Sequence, residues 1–262
     1  MTNATVDGTI ATSPLTVLVN GASRGIGLAT VQHLLADRAI GCVFATSRNA
    51  TSSEPLATLA NQARIPLHPI NQDITREASV MAAAAAVREK ADRIDLILNC
   101  AGVLHDGADL QPEKRLADVT PASLERSFAV NAIGPLLIAK HFQHMLDQQQ
   151  RAVFATLSAR VGSIGDNRLG GWYSYRASKA AQNMITKNLS IELRRRARGI
   201  IVVALHPGTV DTALSRPFQA NVPATRLFPA EHAARQLLDL ITRLTKHDNG
   251  SFFAWDGQPV CW

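Results

Sequence analysis

Apolar residues in this chain fall into short unbroken runs, separated by longer stretches where they recur every three or four positions. The run 16–20, Thr-Val-Leu-Val-Asn, is rich in β-branched residues and stops at a glycine-rich turn. From Gly25 to about Arg38, Ile26, Ala29, Thr30, Leu34 and Leu35 then keep helical spacing. The alternation continues to the end of the chain. It predicts further strands over 42–46, 65–70, 95–98, 152–157, 200–205 and 251–254. Pro66 and Pro69 weaken the second of these. Helices are predicted over 75–91, 121–149, 173–198 and 229–245. Thr120 is placed to cap the helix that starts with Pro121.

Strands that alternate with helices of this length need crossover connections, which make the sheet parallel. The strands read as continuous apolar runs, as they do when both faces of a sheet are covered. The expected fold is α/β: a single-domain Rossmann fold, a doubly wound, mostly parallel sheet of about seven strands with helices on both faces. The domain would span 15–262, after a flexible tail over 1–14 that is rich in Thr, Ala and Ser. Ligands of such folds lie beyond the carboxyl ends of the strands.

Composition narrows the function. Of the 262 residues, 46% are hydrophobic and 18% charged, which supports a large core and excludes a disordered chain. No apolar run is long enough to span a bilayer, and the first residues lack the basic start and apolar centre of a signal peptide. The formal net charge of +6 mildly favours anionic partners, nucleotides included. The densest cations, Arg194, Arg195, Arg196 and Arg198, suit a helix C-terminus followed by Gly199, which weighs against a nucleic-acid patch. Cys42, Cys100 and Cys261 are odd in number and far apart, so a cytoplasmic, reducing setting is expected. No metal-ligand spacing is present in the sequence.

Candidate chemistry follows the strands. Gly21, Ser23, Arg24, Gly25, Ile26 and Gly27 form a Gly-x-x-x-Gly-x-Gly turn, where backbone and a helix N-terminus can meet a pyrophosphate. No acid stands after the second strand to accept from a ribose 2′-hydroxyl. Arg48, joined by Arg24, could instead pair with a 2′-phosphate, so NADP is favoured over NAD. Asp73 and Ile74 stand after the third strand as cofactor-binding candidates; Asp73 could accept from an adenine amino group and reads equally as a helix N-terminal acid before Thr75. Asn99, Ala101 and Gly102 would line the adenine ribose. Tyr175 and Lys179 stand at i and i+4 on one helix face. A nearby ammonium lowers a phenol's pKa, which would poise Tyr175 as a proton donor to a carbonyl oxygen.

Together these segments resemble the short-chain dehydrogenases/reductases over nearly the whole chain. The carriers are Asn20 to Gly27, Asn99 to Gly102, Val130-Asn131-Ala132-Ile133-Gly134, Tyr175 to Lys179 and Pro207 to Thr212. Ser158 to Ser163, Gly170 to Tyr175 and Phe253 to Gly257 are most similar to the sniffer-type carbonyl reductase and C-factor subgroup. The resemblance implies that Tyr175 is the general acid-base and that Lys179 lowers its pKa and binds the nicotinamide ribose. It implies that Asn131 holds a water of the proton relay, and that Pro207, Gly208, Val210 and Thr212 hold the nicotinamide end. It also implies a serine that orients the substrate carbonyl. Alignment puts Ala159 at that position, so Ser158 is the candidate and Ser163 the reserve. Asn20 stands where the family usually has Thr.

The implied function is hydride transfer between NADP(H) and a carbonyl or alcohol substrate. The rival is a dinucleotide-binding signalling or regulatory protein with little turnover. The substrate would meet loops 104–116, 165–172 and 215–228, with Trp172, Phe218 and Phe228 as apolar candidates. A homodimer or homotetramer is expected through helices 121–149 and 173–198, where Ala180, Ala181, Met184 and Ile185 suit close packing.

Overall fold

The computed structural model of the protein describes residues 14–146 and 150–262. The tail expected over 1–14 lies outside them except for Pro14, as do positions 147–149 of the helix expected to end there.

The chain folds through β1 (Leu15–Asn20), α1 (Gly25–Ala36), β2 (Ile40–Ser47), α2 (Glu54–Gln62), β3 (Leu67–Asn71), α3 (Glu77–Arg88) and β4 (Leu96–Asn99). It continues through α4 (Pro121–Phe128), α5 (Gly134–Leu146), β5 (Ala152–Leu157), α6 (Tyr173–Arg196) and β6 (Ile200–His206). It closes with β7 (Thr209–Val210), β8 (Leu227–Phe228), α7 (Ala230–Arg243) and β9 (Ser251–Ala254). Seven strands form one parallel sheet in the order β3-β2-β1-β4-β5-β6-β9. The order reverses between β1 and β4, which opens a crevice at their carboxyl ends.

Alternate side chains of each strand feed opposite cores. Val17, Val43, Leu98, Val153 and Val203 pack with Val31 and Leu34 of α1 and Leu237 and Ile241 of α7. Leu18, Phe44, Ile97, Phe154 and Val202 pack with α3, α5 and α6 on the other face. Both faces are therefore buried, which is why the strands carry no polar alternation.

Three elements depart from the sequence pattern. The helix expected over 121–149 is interrupted by a π turn at Ala129–Ile133, in which Gly134 N–H reaches the carbonyl of Ala129. Thr120 does cap its start, its side chain accepting from Ser123 N–H at 3.2 Å. α2 has only Leu56 fully buried, too little apolar periodicity to stand out in the sequence. The proline-weakened run does form β3, but at the sheet edge, where Pro69 needs no outward partner for its missing N–H.

Candidate active site

The glycine turn after β1 is tight because the chain passes itself at close range. A Cβ on Gly21 would come within 2.6 Å of Ala101 N, and one on Gly27 would overlap the carbonyl oxygen of Gly21. Gly21 and Gly25 take φ of 78° and 54°, which only glycine adopts without strain. No side chain caps α1 and no acid sits in its first turn, so its N–H groups and dipole face the crevice uncompensated. That cradle fits a dinucleotide pyrophosphate. A Cβ on Gly25 would touch Thr212 Cγ2 at 3.2 Å, so the turn meets the segment after β6 that carries Pro207, Gly208 and Val210.

Beside this turn, Arg24 and Arg48 are exposed at the ends of β1 and β2. Burial alone would raise the pKa of Asp73. Hydrogen bonds from Thr75 and the charges of Arg48 and Arg76 prevail and hold its carboxyl below the ordinary value. Asp73 Oδ1 accepts from Thr75 N–H at 3.0 Å and Thr75 Oγ1 at 2.7 Å, the geometry of a local turn acid. Ile74 is buried, its side chain packed against Gly134 on α5. Asn99 is fully buried and donates to Thr156 Oγ1 at 3.3 Å, so its side chain braces β4 to β5. The crevice-facing surface after β4 is supplied by Ala101 and Gly102, both partly exposed. Cys100 beside them is half-buried, and desolvation pushes its thiol pKa up to about 12, which keeps it protonated.

Asn131, Tyr175 and Lys179 converge. Asn131 sits in the π turn, a feature frequent at functional sites. Its Oδ1 accepts from Val103 N–H at 2.8 Å, and its Nδ2 donates to Val103 O at 2.9 Å and Ser178 Oγ at 3.0 Å. The side chain therefore locks the loop after β4 to α6. A Cβ on Gly102 would lie 3.5 Å from Asn131 Oδ1 and 3.8 Å from Lys179 Nζ, which shows how closely three elements meet. Lys179 is buried and donates to Leu157 O at 2.8 Å and Gln182 Oε1 at 2.9 Å, both neutral. Burial lowers its pKa to about 7. Its Nζ lies 5.9 Å from the centroid of the Tyr175 ring.

The expected lowering of the Tyr175 pKa by Lys179 is not what the environment produces. Burial pushes the phenol well above its ordinary value. A lysine that is itself hard to charge gives little opposing field. Tyr175 accordingly keeps its proton.

Both candidate serines are engaged away from the phenol. Ser158 Oγ donates to Asn183 Oδ1 on α6 at 2.6 Å. Ser163 Oγ donates to Trp262 O at 3.2 Å and accepts from Asp166 N–H at 3.1 Å. Gln182 and Asn183, which sequence reasoning passed over, share the Lys179 face of α6 at i+3 and i+4 and could have been found by that spacing.

Aromatic rings close one side. Trp172 meets Tyr175 edge-on at 6.2 Å and Phe218 at 5.1 Å, and Phe218 meets His105 at 5.7 Å. Phe228 packs instead on Trp255 at 4.8 Å, beneath Gly208. Among the described residues no cluster of metal-ligating side chains occurs, and no helix is long and apolar enough to cross a membrane.

The sequence pattern of the short chain dehydrogenase family matches residues 15–223. The chain is 33% identical over 247 residues to the 1-hydroxy-2-glutathionyl-2-methyl-3-butene dehydrogenase of Rhodococcus sp. (strain AD45), spanning 94% of this chain and 99% of that one. It is 36% identical over 169 residues to the C-signal protein of Myxococcus xanthus, spanning 64% of this chain and 93% of that one. The NADPH-bound carbonyl reductase from chicken fatty liver superposes with a TM-score of 0.84 at 31% identity, over 95% of both chains.

Proposed function

The chain belongs to the short-chain dehydrogenase family, and from that premise we propose that it moves hydride between NADP(H) and the carbonyl/alcohol pair of a small molecule. The observation that carries the reading is a buried Tyr175 with Lys179 Nζ 5.9 Å from its ring, at the carboxyl end of β5, where Asn131 and Gly102 also meet Lys179. NADPH, when bound, supplies the hydride. Gly21 to Gly27 and the N-terminus of α1 hold its pyrophosphate. Arg48 and Arg24 pair with the 2′-phosphate, in the absence of any acid after β2. The bound cofactor in the chicken carbonyl reductase supports the choice of NADP.

Tyr175 gives its phenolic proton to the oxygen of the reduced carbonyl. Burial holds the phenol above its ordinary value, so Tyr175 carries the proton it has to give at neutral pH. Lys179, bound to the Leu157 carbonyl, holds α6 against the end of β5, keeps its Nζ 5.9 Å from the Tyr175 ring and would bind the nicotinamide ribose. Asn131 fixes the wall opposite. Ser158 supports the carbonyl oxygen after exchanging its bond to Asn183, with Ser163 in reserve. We place the enzyme in a reducing, cytoplasmic setting as a homodimer or homotetramer.

NADPH consumption with a panel of aldehydes, ketones and quinones tests the reading. Tyr175→Phe is expected to lose ~10²–10⁴-fold in kcat while NADPH binding persists. Arg48→Ala should weaken NADPH and leave NADH unchanged, because only the former carries a 2′-phosphate. Tighter NADH than NADPH binding by the wild type would refute the cofactor assignment. A second reading, a dinucleotide-binding regulator, draws on the similarity to C-signal and on the engaged serines. Binding of NADPH with no turnover across the panel would favour it.

A further inference from the structure

We propose that Glu113 is a positioning residue of the active site: its buried side chain and its backbone carbonyl clamp the entrance of α6, so that the Trp172 indole stands fixed between Tyr175 and Phe218. This goes beyond the proposed reaction and rests on it only for its kinetic consequence.

Trp172 is the residue that precedes α6, and an indole cannot accept a hydrogen bond from the helix's first N–H groups. Something else must satisfy them. Glu113, 61 residues before Ser174 in the loop between β4 and α4, does so. Its Oε2 accepts from Ser174 N–H at 3.1 Å, and its Oε1 accepts from the Ser174 hydroxyl. Its backbone carbonyl accepts from Trp172 N–H at 2.5 Å. Glu113 and Ser174 are 3% and 2% exposed, so these bonds are made out of water, where a lost partner is costly.

The backbone that Glu113 holds is not one it would keep alone. Gly170, Gly171 and Trp172 take φ of 62°, 64° and 52°, three left-handed residues in a row. The first two are glycines and adopt this freely. Trp172 carries a Cβ and does not. Such conformations persist where the surroundings over-determine them. Arg176 supplies the second constraint, its Nε donating to the carbonyls of Gly170 and Gly171 at 3.2 and 3.1 Å and its Nη1 to Val161 O at 3.1 Å. The left-handed turn aims the indole away from the helix axis, edge-on to Tyr175 and Phe218. Tyr175 is one residue beyond the clamped Ser174, so a shift of this turn reaches the proton donor directly.

A cap that only stabilised α6 would lower the melting temperature and nothing more. The test is Glu113→Met, which keeps the length and bulk of the side chain but offers no acceptor to either Ser174 donor. Folding is checked by far-UV circular dichroism. Acrylamide quenching of tryptophan fluorescence, with Trp172→Phe as the reference that isolates this ring, reads the position of Trp172 without needing turnover. Expected are a rise in Trp172 quenching, an NADPH Kd within about twofold of wild type, and a fall in kcat/KM on the best panel substrate of ~10–100-fold, larger in KM than in kcat. Quenching unchanged from wild type overturns the proposal, whatever the melting temperature does. Changed quenching with unchanged kcat and KM overturns it too, as does a loss of NADPH affinity in step with kcat/KM, which would mark general loosening. If Glu113→Met fails to fold, Ser174→Ala removes the hydroxyl arm alone and is judged by the same readings. A wild type that turns over no substrate refutes the proposed function, while the quenching comparison still decides whether Glu113 fixes Trp172.

Discussion

Lys179 shows how far burial can redirect a residue whose place was legible from spacing alone. Its i,i+4 relation to Tyr175 marks the pair in the sequence, but the charge state of each was decided by the surroundings. Lys179 is bound to two neutral acceptors and its pKa falls from 10.5 to about 7, with burial as the cause. Between those values the unfolded chain binds the proton and the folded chain does not, so this residue makes stability rise with pH. Its destabilising share is fully present below about 7 and vanishes as pH climbs through 10.5. Urea unfolding of wild type and Lys179→Met at pH 7 and pH 9.5 checks this. The wild type should gain stability relative to the variant at the higher pH, and an equal gap at both would remove the argument. Ser158 makes the same point. Its position after β5 marks it as the carbonyl-orienting candidate, and the fold gives its hydroxyl to Asn183 on α6.

Elements were legible where periodicity ran long and were lost where geometry broke it. The glycine turn and α1 followed directly from the β1 run. The π turn did not, because Ala129 to Ile133 carry an unremarkable apolar pattern and the extra residue is absorbed only by docking Asn131 to Val103 and Ser178. The two-residue strands β7 and β8 are too short to leave any period. The turn after β1 yields a sharp prediction. In Gly27→Ala the new methyl would strike the Gly21 carbonyl, a backbone atom that cannot yield without opening the turn. The loss should be ~1–3 kcal/mol in thermal or urea unfolding, with weaker NADPH binding by isothermal titration. Gly102→Ala is the contrast for stability, since its Cβ would rest at an ordinary 3.5 Å from Asn131 Oδ1. A Gly27→Ala protein as stable as wild type would mean that the turn has slack.

At the scale of the whole molecule, α5 and α6 present more apolar surface than the fold uses. Ile133, Leu136, Met184 and Ile191 are 47%, 39%, 63% and 48% exposed on the π turn, α5 and α6. The N-terminal half of the buried face of α6 is largely polar, with Ser178, Lys179, Gln182, Asn183 and Thr186, while Leu189 and Leu193 enter the core and Met184 and Ile191 are left outside. Two copies that join these faces would cover them across a two-fold axis. Light scattering at micromolar concentration should report a dimer or tetramer, and Leu136→Glu with Met184→Glu should yield monomers. A monomeric wild type would contradict this. By itself the sequence determined the doubly wound sheet, its seven strands, the glycine turn after β1 and the face shared by Tyr175 and Lys179. Those features are written in local periodicity and in glycine spacing, which each segment carries whatever its neighbours are. Only the tertiary structure decided which way the two pKa values move, where Ser158 bonds and that Glu113 caps α6. These depend on water exclusion and on partners as far as 61 residues apart along the chain, neither of which a local pattern records.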